Sequence, residues 1–325
     1  MPARIFSSVR FGYDEKFRYL CKNRNHYRTD MSEQAERSGP TTKPDWLKIR
    51  LHRTETFAEV ERIVRHHALH TICSSGRCPN KSECWSRRTA TFMILGDVCT
   101  RSCRFCATRS GRPSGVDAGE PQNVAASVAL MGLRHVVLTS VTRDDLPDRG
   151  AAHWAATVEA VRERCPGVTV EVLLPDFDAR GELIDTVLRS QPAIAGHNIE
   201  TVERLTPRVR SRAEYRRSLA ALEHMGSRGF VTKSSLMTGL GERGDEVLST
   251  LRDLRNAGVR IVTIGQYLQP TPQHWEVAEY VTPERFAEYR HAALEMGFDY
   301  CASAPLVRSS YLAEEALRGL DETKK

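Results

Sequence analysis

From Thr91 onward, short β-branched or apolar runs alternate with helix-patterned segments, and no other feature of this 325-residue chain restricts its fold as much. The runs cover 91–95, 135–140, 168–174, 194–199, 230–237 and 261–268. Over 214–225, Tyr215, Leu219, Leu222 and Met225 share one helical face, with Gly226 as the stop. Over 245–257, Val247, Leu248, Leu251 and Leu254 do the same, with Gly258 as the stop. Thr282-Pro283 opens a further helix as N-cap and first-turn proline, and Gly297 closes it. Six strand–helix units predict an α/β fold with parallel pairing and right-handed crossovers. Eight such units close a full barrel; six predict an open, partial (β/α)6 TIM-like barrel, with ligands at the carboxyl ends of its strands.

Residues 1–44 are polar and charged, end in Ser38-Gly39-Pro40 and Pro44, and read as a disordered N-terminal extension. A segment over 45–90 follows, with an amphipathic helix at 56–70 that sets Phe57, Val60, Val64 and Ala68 on one face. The barrel spans 91–300, and 301–325 forms a C-terminal segment. The formal charge is +6, but residues 1–50 carry 11 Lys/Arg against 6 Asp/Glu and the remainder 36 against 35. That balance leaves no basic face for nucleic acid. No run of about 18 apolar residues predicts a membrane span, and no apolar leader predicts export. Nine cysteines without an export signal fit reduced thiols, so the cytoplasm is the expected compartment.

Six of those cysteines fall within 73–106 and split into two triads, Cys73/Cys78/Cys84 and Cys99/Cys103/Cys106. Three thiolates are one ligand short of a closed zinc site. They leave one iron open on a cubane cluster. Cys99 comes three residues after Gly96, where the first barrel strand runs out, so the second triad sits on the functional face. Phe105 is placed to pack beside a cluster and a planar ligand. The competing reading is zinc, completed for the first triad by His66, His67 or His70. Cys21, Cys165 and Cys301 are isolated and read as non-ligands. Gly239-Leu240-Gly241-Glu242 lacks the Lys-Ser/Thr ending of a phosphate loop and reads as a tight turn.

The string Cys99-Thr-Arg-Ser-Cys103-Arg-Phe-Cys106 resembles the signature of the radical S-adenosylmethionine (SAM) superfamily. Both triads, the blocks at 139–148, 197–204, 237–242 and 263–270, and Arg308-Ser309-Ser310-Tyr311 together resemble the lipoyl synthase family over most of 45–315. The resemblance implies two 4Fe–4S clusters. Cys99, Cys103 and Cys106 would hold the one whose open iron binds SAM, which an electron splits into methionine and a 5′-deoxyadenosyl radical. Cys73, Cys78, Cys84 and Ser310 would hold an auxiliary cluster that gives up sulfide. A serine oxygen is a poor match for iron beside soft thiolates, and such a corner suits a cluster meant to be dismantled. The resemblance also implies SAM contacts from Phe105, Thr139, Ser140, Asn198, Glu200, Arg212 and Lys233, with Asp144 and Asp145 nearby. No catalytic side chain beyond the cluster ligands is implied.

The implied reaction inserts sulfur at C6 and C8 of an octanoyl group carried on a protein lysine, giving the lipoyl cofactor. The implied carriers are lipoyl domains of 2-oxoacid dehydrogenase E2 subunits and the glycine cleavage H protein. A ferredoxin or flavodoxin would supply electrons; neither nucleic acid nor membrane takes part. The rival readings are a sulfur-inserting relative of biotin synthase and a zinc-stabilised binding module. The chain departs from the family pattern at Ser235, Arg243, Ala304 and Asp178-Ala179, none of which removes a ligand.

Overall fold

The computed structural model describes residues 42–49, 54–66, 69–311 and 313–316. The expected disordered extension falls outside these residues apart from 42–44, as do Cys21, His67 and 317–325. The strands, in chain order, are β1 (His70–Thr71), β2 (Thr91–Ile94), β3 (Val98–Cys99), β4 (Arg109–Ser110), β5 (His135–Ser140), β6 (Thr169–Leu173), β7 (Ile194–Gly196), β8 (Val231–Thr238), β9 (Ile261–Gln266) and β10 (Tyr300–Ser303).

Eight of them form one sheet in the order β1-β2-β5-β6-β7-β8-β9-β10, while β3 and β4 make a small parallel pair. Every neighbour in the large sheet is parallel except β1, which runs antiparallel to β2. The six expected runs are all strands. The seventh parallel strand, β10, was not expected: Tyr-Cys-Ala-Ser is four residues long and has no β-branched member. It straddles the division at 300/301. No ladder joins β1 to β10 among the described residues, so the barrel is open at that seam.

Side-chain alternation sorts the strands into two faces. Val136, Leu138, Val170 and Val172 point outward and pack with Val124, Trp154, Val158 and Ile184 of the helical layer. In the second half, Leu236, Val262 and Ile264 meet Leu222, Leu251 and Phe286. Helix ends follow the expected chemistry, with two corrections. The first helix is Glu55–His66, and His70 pairs with Met93 in the sheet instead of extending the helix. The helix Tyr215–Ser227 runs through Gly226, and Gly229, at φ +85°, makes the turn. The helix Pro283–Glu295 is capped as expected, the Thr282 hydroxyl accepting from the Arg285 N–H at 3.4 Å.

After β10 the chain turns back along the seam. Gln266 N–H donates to Pro305 O at 3.1 Å, and a Cβ on Gly265 would stand 2.0 Å from Val307 O. Further on, Ser310 meets Thr91 and Ala316 packs on Ile194 and Ile261, the first residues of β2, β7 and β9. The C-terminal segment thus passes from the carboxyl ends of the strands to their amino ends.

Candidate functional site

The second triad is held by backbone geometry at the carboxyl end of β2. Leu95 (φ +68°) and Gly96 (φ +94°) swing the chain out of the strand, and Glu120 accepts from Leu95 N–H at 2.7 Å. Cys99 lies in β3, its Sγ accepting from the N–H groups of Arg101 (3.4 Å) and Thr142 (3.3 Å). Arg104 N–H donates to Val209 O at 2.8 Å and Ser102 N–H to Ser211 Oγ at 3.0 Å. The third loop of this rim brings His274 Nε2 to Cys106 O at 3.0 Å. Burial pushes the Cys103 and Cys106 thiols up, opposed by Arg210 at Cys103 and by Thr108 at Cys106.

Sequence reasoning missed the residue that locks this loop. Arg101, 7% exposed, donates to both oxygens of Asp144 (2.9 and 3.0 Å) and both of Asp176 (2.7 and 2.8 Å). Such double forks suit a planar guanidinium. Burial opposes ionisation of Asp176, yet the Arg101 bonds prevail and hold its carboxyl well below the usual range. Behind Asp176, buried His197 is pushed down to about 4 by desolvation and the Arg210 charge. The neutral ring donates from Nδ1 to Leu174 O and accepts at Nε2 from the Ser218 hydroxyl, itself accepting from Arg210. Phe177, Asp178 and Ala179 all have positive φ, a left-handed turn that costs about 1–2 kcal/mol per residue. Burial of Phe177 and pairing of Asp178 with Arg101, Arg149 and Arg217 offset that strain. The departure at Asp178 therefore adds an acid to the lock.

The residues named for SAM divide. Phe105 packs against the second core cluster. Thr139 is buried, its hydroxyl donating to Leu173 O at 3.3 Å, and Ser140 Oγ at the end of β5 is buried with no partner among the described residues. Glu200, at φ +68°, adjoins Cys103 and Cys106; burial raises its pKa against the pull of Arg210 and a hydrogen bond to Asn198. Strain at such a position marks functional sites. Arg212 is exposed and comes within 3.8 Å of Asp144. Lys233 is a correction: it is the third residue of β8, not at its end, and its ammonium is 2.7 Å from Glu171 in a buried pair with His135 beside it. Asp144 and Asp145 are likewise committed to Arg101 and Arg143. Gly239-Leu-Gly-Glu is a tight turn, the Glu242 carboxylate accepting from the Gly239 and Leu240 N–H groups.

The first triad lies at the seam. Cys73 belongs to the short helix Ile72–Ser75 and Cys84 to Lys81–Ser86, with Cys78 N–H bonded to Cys73 O between them. The three thiols are pushed up by burial, and Cys78 and Cys84 further by the other thiols of the triad. The C-terminal segment closes over them: Asn80 Nδ2 donates to Leu306 O at 2.7 Å, and Tyr311 OH to Glu83 at 3.2 Å. Thr91, whose backbone bonds the Cys73 thiol, donates its hydroxyl to Ser310 Oγ at 2.9 Å.

Each triad offers the three free thiols that an iron–sulfur cluster would need. Arg308 stands beside Cys78 and makes no salt bridge among the described residues, a half-buried cation for an anionic group to balance. At the second site the unpartnered Ser140 hydroxyl and the Glu200 carboxyl offer polar partners to an amino acid moiety. A zinc ion would draw its ligands within about 4 Å of one another. No group of three or more His, Cys, Asp or Glu among the described residues is set to hold a single metal ion.

A family profile described as the Radical SAM superfamily matches residues 93–254. A lipoyl synthase of Bacteroides fragilis (strain YCH46) is 55% identical over 276 residues, covering 85% of this chain and 96% of that protein. One from Parabacteroides distasonis is 56% identical over 84% and 97% of the two chains. The chain belongs to the lipoyl synthase family. A third lipoyl synthase, from Christiangramia forsetii, is 49% identical over 89% and 99% of the two lengths. Among solved structures, methylornithine synthase superposes with a TM-score of 0.50 at 13% identity, covering 83% of this chain and 93% of that one. HydG, a maturase of the FeFe-hydrogenase, gives 0.53 at 12% over 76% and 63%. These two likenesses speak for the fold alone. The lipoyl synthase relatives span both triads, whereas the superfamily profile begins inside β2 and leaves the first triad out.

Proposed function

We infer that the two triads divide one reaction between them. As a lipoyl synthase the protein inserts two sulfur atoms, at C6 and C8 of a protein-bound octanoyl group, with SAM and two 4Fe–4S clusters as cofactors. When bound, the groups supply a 5′-deoxyadenosyl radical at one site and sulfide at the other. The assignment of residues is ours. Cys99, Cys103 and Cys106 hold the radical-generating cluster, fixed by the Arg101 lock, while Ser140, Asn198 and Glu200 bind the polar end of SAM and Phe105 flanks it. Cys73, Cys78, Cys84 and Ser310 hold the auxiliary cluster.

The reading rests on one observation: the C-terminal segment lays Ser310 against Thr91, the residue whose backbone bonds Cys73. Octanoylated lipoyl domains of E2 subunits and the H protein are the carriers we assign, and a ferredoxin or flavodoxin the electron donor. No described helix is long and apolar enough to cross a membrane, and we place the protein in the cytoplasm. Anaerobic incubation with SAM, dithionite and an octanoylated carrier peptide should add two sulfur atoms to the peptide by mass. Formation of 5′-deoxyadenosine without that gain would refute sulfur insertion.

A further inference from the structure

The loop that carries the second triad has an outer surface the reaction does not use. Residues 99–112 and 204–217, which pack together there, contain four and six arginines and a single acid, Glu214. Arg101 and Arg210 are buried. Arg109, Arg204, Arg216 and Arg217 pair with Asp97, Glu246, Glu203 and Asp178. Arg104 and Arg208 are exposed and make no salt bridge among the described residues. Both lie over the indole of Trp275, with guanidinium carbons 4.5 and 5.2 Å from the ring centroid. The indole is held in place, its backbone N–H donating to Arg104 O at 2.8 Å and its Nε1 to Leu240 O at 2.9 Å. Exposed Glu276 follows it and pairs with neither arginine. Like charges gathered without a counter-ion are unfavourable in the isolated protein, and an anionic partner relieves them.

Arg104 is the residue after Cys103, while Phe105, the next in line, packs inward. Exposed Arg104 thus directly follows one cysteine of the triad, and His274, the neighbour of Trp275, bonds the backbone carbonyl of another. An electron passed at this face would enter directly beside the triad.

We propose that Arg104, Arg208 and Trp275 form the docking face for a small acidic one-electron carrier. Each docking event passes one electron: the carrier is oxidised by one electron, the cluster is reduced by one, and no atom or proton crosses. The proposal rests on the reading that the second triad holds the reducible cluster.

The test compares the wild-type holoprotein with Arg104→Glu/Arg208→Glu and the charge-keeping Arg104→Lys/Arg208→Lys. Cluster bleaching is followed by stopped flow, with reduced flavodoxin or with dithionite as sole reductant. With flavodoxin at low salt, the Glu variant should reduce at least about tenfold more slowly and lose direct binding of flavodoxin, and added salt should slow the wild type. The Lys variant should keep most of the rate, and dithionite should reduce all three within about twofold. An equal loss with both reductants would overturn the proposal in favour of a structural role, and no loss with flavodoxin would remove it. Slow product formation with dithionite on an octanoylated carrier domain, but not on a peptide, would assign the face to the substrate carrier instead. Failure of the underlying reading looks different: the wild type would form no 5′-deoxyadenosine with dithionite.

Discussion

The two cysteine regions are fastened by different geometries. Around Cys99–Cys106 the loop is fastened from three directions, by Arg101 forked onto two acids, by backbone bonds to Val209 and Ser211, and by His274. Around Cys73–Cys84 the side-chain closures by the C-terminal segment are single contacts with no fork: Thr91 to Ser310, Asn80 to a carbonyl, Tyr311 to Glu83, and a long Arg87–Glu314 contact at 3.5 Å. Charge-assisted forks are roughly twice as strong as neutral hydrogen bonds. On our assignment, the loop beside the radical-generating cluster is locked by a doubly forked guanidinium, and the site of the consumed cluster is closed by single hydrogen bonds and one long ion pair.

The sharpest break of this contrast exchanges the roles. Cys103→Ala should abolish 5′-deoxyadenosine formation, while Cys78→Ala should retain it and abolish sulfur insertion, both read by mass; the reverse pattern would show the triads misassigned. Arg101→Met strands two buried carboxylates and should cost about 3–5 kcal/mol in thermal or urea unfolding. Arg101→Lys should recover only part of it, since an ammonium cannot fork.

The same fastening has a pH signature. His197 titrates at about 4 folded against 6.5 unfolded, so the unfolded chain takes up its proton first as the pH falls. Stability from this group is complete above pH 6.5 and declines to pH 4 by up to about 3 kcal/mol. Urea midpoints at pH 7 and pH 5 should converge in His197→Gln; an unchanged slope would exclude this ring as the cause.

At the weaker site, Ser310→Cys should slow sulfur insertion about tenfold and retain auxiliary iron longer, since a soft ligand replaces a hard one. Equal or faster product formation would argue against a labile corner. Thr91→Val removes one neutral hydrogen bond and should cost only about 1 kcal/mol, with SAM cleavage unchanged.

Six strands, the glycine stops at Gly258 and Gly297 and both triads were legible because each is a local pattern. The Arg101 lock was not, because its partners stand 43, 75 and 77 residues away and meet it only through loops of different strands. Nothing in the string Cys-Thr-Arg-Ser-Cys separates that arginine from a solvent-facing one. Lys233 was named for SAM through resemblance alone, and the register of β8 sets its ammonium against Glu171 instead. Strand β10 escaped notice because an edge strand backed by β9 needs little intrinsic propensity. Ser310 was found through resemblance alone, as two serines near a C-terminus carry no periodicity.

Gly265 gives the seam a further property. Its missing side chain is the space through which the tail's Val307 carbonyl passes on the way to Ser310 and Ala316. One methyl group there would unseat the tail, lifting the serine from Thr91 and the alanine from Ile194 and Ile261 together. On our assignment, supply of the fourth ligand and cover of the open seam are thereby inherited as a single trait.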